Sequence, residues 1–421
     1  MDFNVCRVLI IQKKRKGRDC FMVITNKYLW LLYNALSFLL YCFSYLMPRK
    51  KNRWVFGSWF GNQISDNSLA MYNYIKNNNP QLELIWLVRN PAKFSLDCKI
   101  IKRNSIKGMF YVATAKVAFV NQGYFDLCSF NLLAGAYKVQ LWHGVPWKKI
   151  CNDSVELPKN FMEKLTQNLV RKLANYDLYI APSDSYAAIA ESAFNASANS
   201  ILRVGQPRNQ VLYDADFCEK SRKVLLNACG MNGDYKIVVY MPTFRDKKTK
   251  TESFLEPSLC QSVNQLAKDL NFVVIEKSHF QDISRGKESL RSNERIFLCP
   301  NLDAQILLAG ADILITDYSS CFFDFLICDR PIIHFAYDYE YYKNKDRGLY
   351  YDIEDVACGS VATNHDELLA AIKDNICNPD LEQMRRKKNR NKFIEYESSD
   401  SCKIIMDYIL KKLDKAECLA S

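Results

Sequence analysis

The chain reads as an α/β protein made of two doubly wound halves behind a basic, apolar N-terminal segment. Three observations predict this. From residue 54 onward, short β-branched or aliphatic runs alternate with helical patterns, the signature of parallel sheets. The alternation restarts after Gly205-Gln206-Pro207, which reads as a turn and linker. Polar motifs follow the strands, which is where open parallel sheets receive ligands. A length of 421 residues, 49% hydrophobic and 24% charged, suffices for two or three cores and excludes general disorder.

The first segment is residues 1–53. It holds eleven Lys/Arg against two Asp, whereas the rest of the chain holds 46 against 44. The formal charge of +11 therefore belongs largely to the N-terminus, and a nucleic-acid-binding body is disfavoured. Within the segment, residues 28–47 are uncharged and predict an apolar helix, long enough to cross a bilayer core of about 30 Å. Basic residues flank both ends, so the positive-inside rule gives no orientation for a span. Asn34, Ser37, Tyr41 and Ser44 form a narrow polar stripe, and aromatic residues are abundant. Both features suit a helix lying in the membrane plane. A span and a buried core helix are the alternatives. No A-x-A-like site follows the run, so a cleaved signal peptide fits poorly. The sixteen cysteines are scattered, with no C-x-x-C pair, which predicts reduced thiols in a cytosolic body.

In the first half, residues 54–205, strands are expected at Leu82–Val88, Val117–Val120, Lys138–Trp142 and Leu178–Ala181. Helices are expected at Ser68–Lys76 and Leu157–Ala174. In the second half, residues 206–421, strands are expected at Ile237–Met241, Phe272–Glu276, Ile296–Cys299, Ile313–Thr316 and Pro331–Phe335. Helices are expected at Ser258–Leu270, Asp303–Leu308 and Cys321–Cys328, with a charged helical tail from Pro379 to Leu413.

Four motifs follow strands. In QLWHGVPWKK, His143-Gly144 ends a strand, and a histidine there suits general base catalysis, the alternative being a hydrogen-bonded structural residue. In YMPTFRD, Thr243 and Arg245 have the chemistry to reach a phosphate, although an Arg245–Asp246 surface ion pair would explain the arginine alone. In EKSHF, Lys277 and His279 point to one side of an extended segment, with a solvated loop as the alternative. In LLITDYSSCFFDF, Ser319, Ser320 and free backbone N–H groups make an anion site at a helix start, and Asp324 lies one turn in, where it would accept a ligand hydroxyl. Arg208 in GQPRN adds a cation at the junction. His334 reads as a core or supporting histidine, and His365 receives no role. P-loop, G-x-G-x-x-G and G-x-S-x-G motifs are missing, and no zinc-ligand spacing occurs, so no metal or cofactor is expected.

Taken in order, WHG-x-P-x-K-K, PRN, PTFRD, K-x-H and TDYSS-x-x-x-D resemble the CDP-glycerol glycerophosphotransferase family of teichoic-acid and related polyol-phosphate polymer synthesis. The resemblance runs from WVFGSWFGNQISDNSLAMYNYI at residues 54–75 to about residue 410. It implies a GT-B-like fold, a CDP-polyol donor, a lipid-linked or polyol-phosphate acceptor, and membrane attachment without a bundle of spans; the last agrees with the reading of residues 1–53, which places the protein on anionic lipid at the cytoplasmic face of the cell membrane. It also implies His143 and His279 as the proton-transfer pair. Donor contacts are implied at Gly144, Pro146, Arg208, Pro242, Thr243, Lys277, Ser319, Ser320 and Asp324, with Arg245 added for its charge. In this reading His143 deprotonates the acceptor hydroxyl, while Arg208, Lys277 and the helix start at Ser319-Ser320 neutralise the diphosphate as CMP leaves.

The sequence departs from the family pattern at Val145, Trp147, Ser278 and Gln210, each expected to reshape the polyol pocket, so the choice of polyol stays open. An inverting glycosyltransferase using a nucleotide sugar is the competing enzyme. A non-catalytic membrane assembly factor is the competing non-enzyme.

Overall fold

The computed structural model describes residues 11–15, 18–22, 27–154, 175–243, 252–277, 292–299, 301–340 and 348–418. An antiparallel hairpin of β1 (Ile11–Arg15) and β2 (Arg18–Met22) precedes helix α1 (Lys27–Tyr45). Seven strands then build a wholly parallel sheet in the order β5-β4-β3-β6-β7-β8-β9. They are β3 (Lys50–Phe56), β4 (Glu83–Val88), β5 (Lys99–Lys102), β6 (Ala115–Val120), β7 (Tyr137–Gln140), β8 (Leu178–Ala181) and β9 (Ile201–Arg203). Helices α2 (Asp66–Asn78) and α3 (Ile106–Ala113) are among its crossovers.

The second sheet has the order β12-β13-β11-β10-β14-β15-β16. Its strands are β10 (Lys236–Met241), β11 (Phe272–Glu276), β12 (Ser292–Asn293), β13 (Ile296–Leu298), β14 (Ile313–Thr316), β15 (Ile332–Phe335) and β16 (Ser360–Ala362). Only the edge strand β12 pairs antiparallel. In both sheets the strand order reverses beside the first strand of the unit, between β3 and β6 and between β10 and β14. Those two points are where doubly wound sheets open a crevice at the carboxyl ends of their strands.

The strands follow from composition. Val55, Ile85, Val117, Ile237, Val274 and Ile315 lie on strands buried on both faces, as parallel sheets require. One core runs through both halves: Trp142, Val145 and Trp147 pack with Val239, Ile275 and Phe322. The C-terminal helix Ser401–Cys418 crosses back to the first half, where Cys402, Ile405, Met406 and Ile409 join Trp54, Phe56 and Trp86.

The structure shifts one expected boundary and divides one expected helical run. The first strand begins at Lys50, inside the segment assigned to the membrane. Its polar start was hidden because Arg53 is buried in an ion pair with Glu83 at 2.9 Å, not in an apolar run. The charged tail is two helices, Gln383–Phe393 and Ser401–Cys418, with a loop between them. The expected helix 157–174 lies outside the described residues. Among the described residues, no helix is long and apolar enough to cross a membrane. Every cysteine whose side chain is described is a free thiol.

Candidate active site

The WHG motif follows β7 in a strained turn. Trp142 has φ +53°, rare for a bulky residue, and Gly144 has φ +135°. This conformation lays the His143 ring against Trp142 at 4.3 Å, with Trp59 on another side at 5.5 Å. A Cβ at Gly144 would meet Ser320 Oγ at 2.7 Å and an Arg208 Nη at 3.2 Å. Glycine therefore lets the histidine loop of the first half touch the serine turn of the second. Beyond it, Trp147 is buried against Tyr318 and Phe322, and its indole N–H donates to the Tyr351 carbonyl at 2.7 Å. Val145 and Trp147 are thus part of the core joining the halves.

His143 Nδ1 is buried with no hydrogen-bond partner among the described residues. Burial pushes the imidazole down to about 4, with Asp66 pulling it up and Arg208 pushing it further down. At neutral pH the ring is uncharged and holds a lone pair, the state a general base needs.

Arg208 is less available than expected. One terminal nitrogen donates to Asp66 Oδ1 at 2.8 Å and the other to Asp324 Oδ2 at 2.6 Å, and both carboxylates are almost wholly buried. Two negative charges surround one positive charge, so this trio does not supply net positive charge to a diphosphate. Asp324, expected to receive a ligand hydroxyl, instead accepts from Arg208 and from Asn209 Nδ2 at 3.0 Å.

Asn67, which begins α2 beside Asp66, binds three segments together. Its amide donates to the Leu141 and Trp142 carbonyls at 3.3 and 3.1 Å and to Gln206 Oε1 at 3.1 Å. Its oxygen accepts from the Arg208 backbone at 3.0 Å. Asn209 reaches Glu397 Oε1 at 3.0 Å and accepts from Gln305 at 2.8 Å. Glu397 also accepts from the Gln206 backbone at 3.0 Å, and burial pushes its carboxyl up to about 8. Sequence reasoning named neither Asp66, Asn67 nor Glu397 for the site. The Ser-Asp-Asn run opening a helix was the available signal.

In the second half, Thr243 after β10 and Asp317 after β14 flank the switch point, and the Thr243 N–H donates to Asp317 Oδ1 at 2.8 Å. Ser319 and Ser320 sit at the mouth of the short helix Cys321–Phe325. Lys277 follows β11, donates to the Leu302 carbonyl, and has its ammonium pushed down by burial. Pro242 is half-buried beside Thr243, and Pro146 is buried in the WHG loop. His279, Arg245 and Ser278 lie outside the described residues. Gln210 accepts from the Cys402 N–H at 3.0 Å, so it holds the start of the C-terminal helix. His334 is a core residue accepting from the Cys358 N–H at 3.1 Å. Among the described residues, no cluster of His, Cys, Asp or Glu is arranged to hold a metal.

The arrangement defines a class: a doubly wound α/β protein in two halves whose strand-end loops meet, with the His143-Gly144 loop after β7 against Ser320 after β14. Within that class, the chain belongs to the CDP-glycerol:poly(glycerophosphate) glycerophosphotransferase family, whose model matches residues 39–411. It is 31% identical over 337 residues to the teichoic acid poly(glycerol phosphate) polymerase of Bacillus spizizenii, covering 78% of this chain and 84% of that one. It is 30% identical over 341 residues to the Bacillus subtilis protein of the same name, covering 79% of this chain and 45% of that longer one. Among solved structures it is similar to the wall teichoic acid polymerase TagF, at TM-score 0.74 and 25% identity over 94% of this chain and all of that one.

Proposed function

We propose that the protein transfers glycerol phosphate from CDP-glycerol to a hydroxyl of a lipid-linked or polyol-phosphate acceptor, releasing CMP, in synthesis of a teichoic-acid-like or capsular polymer. The observation that carries this reading is the contact across the cleft. Gly144 beside His143 meets Ser320 and Arg208, so a base and a phosphate-binding turn face one reacting centre. Family membership supplies the donor class.

His143 takes the acceptor proton as the hydroxyl oxygen attacks the β-phosphorus. The bond from that phosphorus to the bridging oxygen breaks, and the electron pair leaves with CMP. Lys277, the Ser319 and Ser320 hydroxyls and the backbone N–H groups of their turn balance the charge on the diphosphate. Arg208 acts one step back: it holds Asp324 and Asp66 and sets the His143 loop. A positioned base contributes about 10²–10⁴-fold, and charge balance and alignment supply the rest.

The test is CMP release from purified protein given CDP-glycerol, CDP-ribitol or a UDP-sugar with a glycerol phosphate oligomer. Acceptor-dependent CMP from CDP-glycerol supports the proposal. UDP release alone would move the function to sugar transfer.

The protein acts at the cytoplasmic face of the cell membrane in this reading, with α1 lying in the membrane plane. Leu32, Leu36, Leu39, Phe43 and Leu46 form one exposed apolar row at helical spacing. The other side docks on the first half, where Tyr33 stacks on Phe130 at 5.4 Å and Leu40 and Met47 meet the core. Anionic lipid vesicles should pellet the protein, and Ser at Leu32, Leu36, Leu39 and Phe43 together should abolish pelleting while the thermal transition stays in place. Unchanged pelleting would place the contact elsewhere.

A further inference from the structure

The first turn of α2 reaches the backbone that carries His143. Asn67 is fully buried, and the two protons of its amide serve three acceptors. These are the carbonyls of Leu141 and Trp142, at 3.3 and 3.1 Å, and Oε1 of Gln206 at 3.1 Å. The two carbonyls lie on either side of the Trp142 Cα. Holding both therefore fixes both rotations at that residue. In an extended residue successive carbonyls point to opposite sides, and one amide could reach only one of them. At Trp142 a single amide reaches both, and the backbone there is left-handed, with φ +53°. Such a conformation is strained for a residue as large as tryptophan and persists only where its surroundings fix it. A Trp142 relaxed to extended backbone would continue the line of β7 and carry the His143 ring to another face.

The same turn is tied to the crossing between the halves. Asn67 Oδ1 accepts the Arg208 N–H at 3.0 Å. Asp66 is itself left-handed, at φ +68°, and its Oδ1 accepts from the Asn67 N–H and from Arg208 Nη1, each at 2.8 Å. Two strained residues, Asp66 and Trp142, are thus held against each other through one amide. Asp66 directs its carboxylate to the Arg208 side chain, while Asn67 directs its amide to the turn before His143.

We propose that Asn67 is a positioning residue for the transfer: its amide holds Trp142 in the left-handed conformation that presents His143 to the attacking hydroxyl, and locks that turn to the Gln206–Arg208 crossing. The inference rests on His143 being the base, and it concerns how the base is held. Asn67 itself meets no reacting atom. Asn67→Ala leaves the Leu141 and Trp142 carbonyls without their donor, so Trp142 can relax. Asn67→Asp keeps the shape but turns an acceptor toward both carbonyls. A proton on that carboxyl restores one donor, and burial against carbonyls favours the protonated form. The two variants therefore respond differently to pH.

The experiment measures acceptor-dependent CMP release from CDP-glycerol and a synthetic glycerol phosphate trimer. It uses the full chain as wild type, Asn67→Ala, Asn67→Asp, His143→Ala and the double variant of Asn67→Ala with His143→Ala. Asn67→Ala should lower kcat by a factor of about thirty or more at pH 7.5, with KM for CDP-glycerol within about threefold of wild type. Added to His143→Ala, the same substitution should lower kcat by no more than about twofold, because its effect passes through a ring that is no longer there. Asn67→Asp should match Asn67→Ala at pH 7.5 and gain about tenfold in kcat at pH 5.5, where wild type changes by less than about twofold. If Asn67→Ala is recovered unfolded, the pH response of the isosteric Asn67→Asp decides. A kcat within threefold of wild type in folded Asn67→Ala overturns the proposal. So do losses that multiply in the double variant, a rise in donor KM as large as the fall in kcat, or a pH response of Asn67→Asp that follows wild type. Wild-type kcat in His143→Ala would remove the base and this inference with it. Activity lost in His143→Ala but kept in Asn67→Ala overturns the positioning role alone.

Discussion

His143 is where the smallest change should have the largest effect. His143→Ala removes the base together with the ring that stacks on Trp142, while Val145 and Trp147 stay in the core joining the halves. It should cost about 10²–10⁴-fold in kcat, measured as acceptor-dependent CMP release by protein with an unchanged thermal transition. The pH dependence carries a sign. Burial holds the imidazole at about 4, below its ordinary 6.5, so the neutral base persists through the range where a free histidine would protonate. The acid limb of kcat/KM should therefore fall below pH 5; a limb at 6.5 would refute the buried assignment. Asp66 is the main group raising that pKa. Asp66→Asn should move the limb to still lower pH and reduce kcat, because a weaker base takes the proton less readily. It also strips one partner from Arg208, so donor KM is the second quantity to follow. The placement of His143, Lys277 and the serines just beyond strand ends was legible because each follows an apolar run. The tethering of Arg208 was not, because Asp66 lies 142 positions away and enters only through tertiary contact.

At the scale of single elements, β3 shows how a strand can hide. Its first four residues, Lys50, Lys51, Asn52 and Arg53, look like the basic flank of a membrane segment. Burial of Arg53 is made tolerable by Glu83 on the neighbouring strand, which also pairs with Lys99 at 2.6 Å and Lys50 at 3.3 Å. Burial opposes ionisation of Glu83, but Lys99, Arg53 and Lys50 outweigh it and hold the carboxyl near 2. The folded value lies below the unfolded one, so its stabilisation is present above about pH 4.3 and is lost as pH falls toward 2. Glu83→Gln should lower the melting temperature at pH 7, and the gap to wild type should close between pH 4.3 and 2. A gap constant with pH would mean that shape, not charge, sets the effect. The same strand decides how an N-terminal truncation must be cut. Removing residues 1–53 takes away most of a strand that pairs with both β4 and β6, so that variant should be recovered unfolded. The long apolar strands were visible in sequence because parallel strands buried on both faces are continuous apolar runs. β3 and the hairpin β1-β2 are not such runs.

Across the whole molecule, the two halves are joined by two chain crossings that meet at Glu397. The first crossing runs through Gly205, Gln206 and Asn209. The second is the loop leading to the helix Ser401–Cys418, which returns to the first core. A Cβ at Gly205 would stand 2.5 Å from Glu397 Oε2 and 2.7 Å from Ser401 Oγ, so the crossings touch without a side chain between them. Oε1 of Glu397 accepts from both Gln206 and Asn209, while Oε2 is buried with no partner among the described residues. A protonated carboxyl fits such a site better than a charged one, and burial raises its pKa to about 8. The sign follows from proton uptake. Between about pH 4.3 and 8 the folded chain holds a proton that the unfolded chain has released, so stability declines as pH rises through this window. Glu397→Gln imitates the protonated group and should remove that decline. Its melting temperature should match wild type near pH 4 and exceed it above pH 8. A variant less stable than wild type at pH 8.5 would show that the joint needs the carboxylate. Because Asn209 also holds Asp324, and Asp324 holds Arg208 beside Gly144, ionisation at the crossing reaches the cleft through three hydrogen-bonded neighbours. If that chain transmits, the alkaline limb of kcat for wild type should lie near pH 8 and be absent in Glu397→Gln. A limb present in both would confine the effect of Glu397 to stability.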